Sequence, residues 1–166
     1  MIKPGVPAPG FVKRIGSLVD RRRRVDFRAL ESEQILNRLN DPRMPFGWTV
    51  NPYRGCEFGC RYCYARPTHA YLGHADPEDF ESRIYVKRTE TDRLLARLRK
   101  ARESGEEIAL GAATDPYQPA EGRFAVTRGV LEAMRRVPGL RIGITTKSPA
   151  IGPTRNSSPR SRPRPS

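Results

Sequence analysis

The chain has 166 residues, which is enough for one domain of ordinary size. Hydrophobic residues make up 37% and the mean hydropathy is -0.66, so a core over the whole length is not expected, and no apolar run is long enough to span a membrane. The first ten residues contain no unbroken apolar stretch typical of a secretion signal, which predicts a cytoplasmic protein whose thiols stay reduced.

Part of the formal net charge of +13 lies in two arginine-rich segments, with four arginines at 21–24 and four more between 155 and 164. Segments of this kind neutralise phosphate groups in nucleic-acid-binding proteins. They are equally typical of an arginine-rich proteome in which the charges are simply solvated. The charge by itself leaves nucleic acid as one of two open interpretations.

Residues 1–45 are predicted to form a basic, irregular extension. Within it, Asn40–Pro42 would end a short helix. The apolar face of that helix would consist of five residues at roughly helical spacing: Phe27, Leu30, Ile35, Leu36 and Leu39.

From residue 46 onward the sequence predicts alternating strands and helices. The strands are expected at 46–50, 107–111 and 140–146, where short apolar or β-branched runs are bounded by turn residues. A first helix lies between them, with Thr89 or Thr91 as N-cap, Gly105 as terminator, and an apolar face of Leu94, Leu95, Leu98 and Ala101.

The second helix is expected to be capped by Thr127 and closed by Pro138–Gly139, with Val130, Leu131, Met134 and Val137 on its apolar side. The order strand, helix, strand, helix, strand predicts βαβ units and a parallel sheet, hence an α/β fold. The cysteine loop, Thr114–Asp115 and Thr145–Lys147 each follow a predicted strand. We therefore expect them to meet at the carboxyl edge of the sheet, where such folds place their sites.

All three cysteines of the chain lie in the loop after the first predicted strand, as Cys56, Cys60 and Cys63. Three thiolates in one loop point to a metal site. An iron-sulfur cube has four irons and usually takes four cysteine ligands, so a cube held by three would leave one iron free to bind a small molecule.

The cysteines also allow two other interpretations. A structural zinc site would need a fourth ligand, which His69 or His74 could supply, although zinc ligands usually come in pairs from two separate hairpins. A disulfide framework fits poorly, because the odd cysteine count leaves one thiol over and nothing marks secretion.

The spacing CxxxCxxC, with the aromatic Tyr62 before the last cysteine, resembles the signature of radical S-adenosylmethionine (SAM) enzymes. Flanking motifs extend the resemblance over residues 46–149, at 51–55, 64–69, 80–87, 114–119 and 145–148. Together they look like the spore photoproduct lyase-like branch, often labelled DNA repair photolyase-like. The resemblance implies a partial (βα) radical SAM barrel and a [4Fe-4S] cluster held by Cys56, Cys60 and Cys63.

The resemblance also implies an activity. SAM would chelate the free iron and be cleaved reductively to a 5′-deoxyadenosyl radical, with electrons from a donor such as flavodoxin or ferredoxin. Tyr62 would lie beside the adenine. Lys147 would pair with the SAM carboxylate, and the methionyl amine would contact Ala112, Ala113, Thr114 and Asp115. Asp115 precedes a proline, so a simple turn-forming role is the alternative.

Two features depart from this family pattern. Spore photoproduct lyases carry a further cysteine that returns hydrogen to the product radical, and this chain has no fourth cysteine, so Tyr64 or Tyr117 would have to substitute. The family barrel also continues for about three more strands. Here residues 150–166 are a Pro/Ser/Arg tail that is expected to be disordered. A core truncated after its third strand, or a nonfunctional remnant, is therefore a further interpretation.

Overall fold

The fold is described from a computed structural model, which covers residues 12–14, 25–31, 35–74 and 76–150. The eight strands of this part are β1 Val12–Arg14, β2 Asp26–Glu31, β3 Leu36–Arg38, β4 Trp48–Val50, β5 Tyr53–Arg54, β6 Arg83–Arg88, β7 Ile108–Leu110 and β8 Ile142–Ile144. The helices are a 3-10 helix at Arg66–Leu72, α1 Asp79–Ser82, α2 Thr91–Ser104, α3 Glu121–Phe124 and α4 Val126–Arg135.

Sheet I has the strand order β3-β4-β7-β8. Strands β4, β7 and β8 are parallel, so the three strands predicted from the sequence pair as expected. Helix α2 packs on this sheet through the predicted side chains Leu94, Leu95, Leu98 and Ala101. Each leucine buried there contributes roughly 1.5–3 kcal/mol. The partly apolar helix α4 completes this core with Val130, Ala133 and Met134.

The ends of these helices differ in detail from the prediction. The residue before α2 is Glu90, and no side chain caps its amides, so neither Thr89 nor Thr91 is the N-cap. Gly105 ends α2 in the left-handed conformation, as predicted. Thr127 does not cap α4, because its buried hydroxyl donates instead to the carbonyl of Pro116 at 2.6 Å.

Sheet II has the order β1-β2-β6-β5, in which β2 and β6 are parallel while β1 and β5 are antiparallel to their neighbours. The helix predicted over residues 27–39 is wrong, and the described part of the extension is not irregular. Phe27 and Ala29 alternate with more polar neighbours and lie opposite Ile84 and Val86 of β6. Burial in this sheet, with a full ladder of backbone hydrogen bonds, outweighs a weak helical spacing.

Several sequence-based predictions lie outside the described residues. They include the arginines at 21–24, those between 155 and 164, and the predicted disorder of 151–166. Among the described residues, no helix has both the length and the apolar character needed to cross a bilayer.

Candidate functional site

The cysteine loop begins directly after β5 with a glycine that tolerates no side chain. Gly55 has φ +84°, and a Cβ placed on it would lie 2.8 Å from the carbonyl oxygens of both Phe80 and Arg83. The next amide, of Cys56, donates to the Phe80 carbonyl at 2.8 Å. Gly59 also has a positive φ, of +55°, so the backbone turns sharply at both glycines of the loop.

A buried polar network ties this loop to the segment after β7. The carbonyl of Gly55 accepts hydrogen bonds from the Thr114 hydroxyl at 2.6 Å and from the side-chain Nε2 of Gln118 at 3.2 Å. The side-chain Oε1 of Gln118 accepts from the backbone amide of Glu57 at 3.0 Å. Gln118 is only 1% exposed, so these bonds are shielded from competing water. They hold the cysteine loop against the end of sheet I.

All three cysteines line one pocket at the carboxyl ends of β7 and β8. Cys56 is buried, and burial is the main cause that raises the pKa of its thiol, whereas Cys60 and Cys63 are partly exposed. The pocket also contains most of the side chains that the sequence analysis selected: Ala112, Ala113, Thr114, Asp115 and Lys147. The expected convergence on one edge of the sheet is therefore present.

Asp115 and Lys147 are held in this pocket by defined contacts. One carboxylate oxygen of Asp115 accepts from the Thr146 hydroxyl at 2.7 Å and from the Tyr117 amide at 2.9 Å. The other accepts from the backbone amide of Lys147 at 2.7 Å, which joins the ends of β7 and β8. The Lys147 ammonium donates to the Cys60 sulfur at 3.1 Å, and this contact raises the lysine pKa.

The two tyrosines of the loop are both exposed, but only one of them lines the pocket. Tyr62 is 94% exposed and does not line the pocket. Tyr64 lines the pocket, and its phenol donates to the carbonyl of Ala112. The sequence analysis missed Gln118, whose only signal was its place in the motif at 114–119.

The donor set fits an iron-sulfur cube better than a single metal ion. Within the described ranges, no three His, Cys, Asp or Glu side chains are grouped so as to hold one ion. His69 is bonded to the Arg83 carbonyl and His74 to the Tyr85 hydroxyl, and neither imidazole lines the cysteine pocket. In a cube each thiolate binds a different iron, so three sulfurs spread around one pocket suit it.

A family model described as the radical SAM superfamily matches residues 50–155. This chain belongs to the radical SAM superfamily. The match contains all three cysteines and every pocket residue described above. Superfamily members typically bind a [4Fe-4S] cluster and SAM, which agrees with the cofactors that the motif resemblance implies.

The curated relatives of this radical SAM protein are themselves uncharacterised. Proteins of Mycobacterium tuberculosis (strain H37Rv) and Mycobacterium bovis are 38% identical over 145 residues, which is 87% of this chain and 42% of each relative. A protein of Methanocaldococcus jannaschii is 27% identical over 114 residues, covering 68% of this chain and 40% of its own. The chain thus spans about two fifths of the length of these relatives. No solved structure matches it.

Proposed function

We propose that Cys56, Cys60 and Cys63 hold a [4Fe-4S] cluster with one iron open to SAM, and that the protein cleaves SAM reductively. When bound, the cluster supplies the electron that breaks a sulfonium carbon-sulfur bond of SAM, giving methionine and a 5′-deoxyadenosyl radical. The observation that carries this proposal is the pocket at the ends of β7 and β8, in which three thiols face Lys147 and Asp115.

The pocket residues have separate roles in this proposal. Lys147 is anchored through its backbone amide, so its ammonium can turn from the Cys60 sulfur to the SAM carboxylate. Asp115 holds the ends of two strands together and presents its carboxylate beside Ala112 and Ala113, where the methionyl amine would bind. The exposed ring of Tyr62 is available to stack on adenine at the mouth of the pocket.

The substrate class that we propose is nucleic acid, as in the DNA repair lyase-like branch that the flanking motifs resemble. The net charge of +13 supports this choice. Among the residues of this sequence, the candidate that we propose for hydrogen return is Tyr64, which lines the pocket. A flavodoxin or ferredoxin in the cytoplasm would supply the electron.

Anaerobic reconstitution with iron and sulfide tests the cluster. The wild type should bind about four irons and four sulfides per chain. Cys56→Ala, Cys60→Ala and Cys63→Ala should each lose most of this iron. Arg61→Ala is the matched control, because Arg61 is an exposed residue of the same loop, and it should load like the wild type. Stoichiometric zinc without sulfide would instead identify a small basic zinc protein.

Incubation of the reduced, loaded protein with SAM tests the reaction separately. We expect 5′-deoxyadenosine to form in the wild type and in Arg61→Ala. Lys147→Met should retain its iron while SAM binding weakens at least tenfold. A fully loaded cluster that never cleaves SAM would mean that the chain is a nonfunctional remnant.

A further inference from the structure

One face of sheet II carries two neighbouring cations, Arg54 and Lys87, of which Lys87 is buried and Arg54 partly buried. Strands β5 and β6 are antiparallel with Arg54 opposite Tyr85, so Lys87 is the diagonal neighbour of Arg54 on the same face. The charge of Arg54 is the largest charge effect acting on Lys87. Lys87 is 5% exposed, and Arg54 is also largely shielded from water.

Neither cation has an anionic partner in the part of the chain that the structure describes. Arg54 makes one long hydrogen bond, of 3.5 Å, to the carbonyl of Thr68, and the Lys87 ammonium makes none to a described residue. Burial, followed by the charge of Arg54, lowers the pKa of Lys87 to about 7. A buried cation without a partner is strongly unfavourable, so such a group loses its proton unless a counter-charge is bound beside it.

The other two cations on this face do have anionic partners. Arg28 is paired with Asp26 at 2.7 Å, and Arg83 with Asp79 at 3.0 Å. The same surface therefore balances its charges where it has carboxylates nearby. The Arg54–Lys87 pair is an exception in the described residues, and a bound anion would balance it in the same way.

A buried imidazole next to the pair is unpartnered as well. The Nδ1 atom of His69 is the one fully buried side-chain nitrogen or oxygen in the described ranges that has no hydrogen-bond partner. Its Nε2 atom lies 2.9 Å from the Arg83 carbonyl and must donate to it, so Nδ1 is an acceptor in the neutral ring. Burial is the main cause that lowers the pKa of His69, and the charges of His74 and Arg54 add to it.

We propose that Arg54 and Lys87 form a binding site for a phosphate group, carried by a small molecule or present as inorganic phosphate. Two cations match the charge of a phosphate, and guanidinium and ammonium groups both donate hydrogen bonds to phosphate oxygens. Lys87 lies near the carboxyl ends of the parallel strands β2 and β6, an edge at which α/β sheets bind ligands. Because Lys87 is only 5% exposed, we expect it to meet a small phosphate group and not a duplex backbone.

The test measures phosphate binding to the full chain by calorimetry, with a parallel thermal melt in chloride of equal ionic strength. The wild type should bind phosphate saturably and melt at a higher temperature in its presence. Lys87→Met should bind at least tenfold more weakly, while its melting temperature in chloride should exceed that of the wild type because an unpaired buried charge is gone. Lys100→Met, which removes an exposed lysine of α2, is the control and should respond like the wild type.

A second ligand identifies the source of the phosphate, and a second variant tests the other cation of the proposed site. Ribose 5-phosphate that binds at least tenfold more tightly than inorganic phosphate would identify a phosphorylated small molecule, whereas equal binding would identify the free anion. Arg54→Met, checked for folding by circular dichroism, should weaken binding as Lys87→Met does. A wild type that ignores phosphate, or a Lys87→Met protein that binds it like Lys100→Met, would overturn the proposal. Neither result depends on the iron-sulfur cluster.

Discussion

At the scale of single residues, Gly55 is the position with least freedom in the cysteine loop. Its φ of +84° is unfavourable for any residue with a Cβ, and a Cβ built there would lie only 2.8 Å from two carbonyl oxygens. Gly73 has nearly the same φ, +81°, but no atom lies within 4 Å of a Cβ built there. A comparison of substitutions at the two glycines therefore distinguishes the cost of backbone strain from the cost of steric overlap.

We predict that Gly55→Ala lowers the free energy of unfolding by about 3 kcal/mol or more, because left-handed strain of about 1–2 kcal/mol adds to overlap with Phe80 and Arg83. Gly73→Ala should lose only about 1 kcal/mol, from the strain alone. Urea denaturation followed by circular dichroism measures both values. Equal losses of unfolding free energy in the two variants would show that the close contacts around Gly55 add nothing to the cost of a side chain at that position.

Residue type and spacing made part of the site predictable. Cysteines close together in a sequence are typical of metal sites, and side chains that follow parallel strands meet at one edge, so the position of Asp115 and Lys147 beside the cysteines is predictable. Gln118 was not found because its function is a set of hydrogen bonds to Gly55 and Glu57, about 60 positions away. A single sequence carries no local mark of such a contact.

At the scale of elements, helix α4 begins without a capping side chain of its own. The residue before it, Ala125, has a left-handed φ of 51°. The carboxylate of Glu121 from α3 accepts instead from the first amides of α4, at 2.9 Å from Thr127 and 3.0 Å from Arg128. The same carboxylate accepts the hydroxyl of Tyr53 from sheet II. Glu121 thus joins α4, the layer on sheet I, to the second sheet.

We predict that Glu121→Ala lowers the free energy of unfolding by about 2–3 kcal/mol. The loss of the cap accounts for about 1 kcal/mol, and the unpartnered hydroxyl of the buried Tyr53 for the rest. Glu132→Ala removes an exposed carboxylate of α4 and should change stability by less than about 0.5 kcal/mol. In the background of Tyr53→Phe the effect of Glu121→Ala should shrink; an unchanged effect would refute the proposed link between the two elements.

The elements themselves were predicted unevenly from the sequence. Strands β4, β7 and β8 and helices α2 and α4 were found because their apolar spacing is regular and their ends carry turn residues. The sequence favours a helix where β2 and β3 form, because Phe27 and Leu30 also fit a spacing of three. Residues 26–31 form a strand because they pair in parallel with β6, whose residues are more than 50 positions further along the chain. Pairing over such a separation leaves no trace in a local pattern.

At the scale of the whole molecule, the two sheets carry different kinds of functional groups. The carboxyl edge of sheet I holds the thiols, while one face of sheet II holds buried cations. The cysteine loop and the 3-10 helix connect β5 to β6 of sheet II, and Arg54 is only two residues from Cys56. A ligand on the cations of sheet II would therefore act on the segment that enters the cysteine loop.

Strand β8 forms an exposed edge of sheet I. It pairs with β7 on one side, and no other described strand pairs with it. Two of its side chains, Ile142 and Ile144, are 38% and 41% exposed. An edge strand with free backbone groups and exposed isoleucines readily pairs with another chain. We expect the purified 166-residue chain to self-associate through this edge.

The matching variant is Ile144→Lys, because a charge on an edge strand opposes pairing with a second strand. The mass of the wild type, measured by light scattering during size-exclusion chromatography, should rise with concentration above the 18.8 kDa of one chain. Ile144→Lys should stay at that mass up to at least tenfold higher concentration. Met44→Lys, at a residue that is 43% exposed in a turn and not on a strand edge, should behave like the wild type. If both variants stayed monomeric, or if neither did, the loss of apolar surface or some other contact would control association, and not the edge of β8.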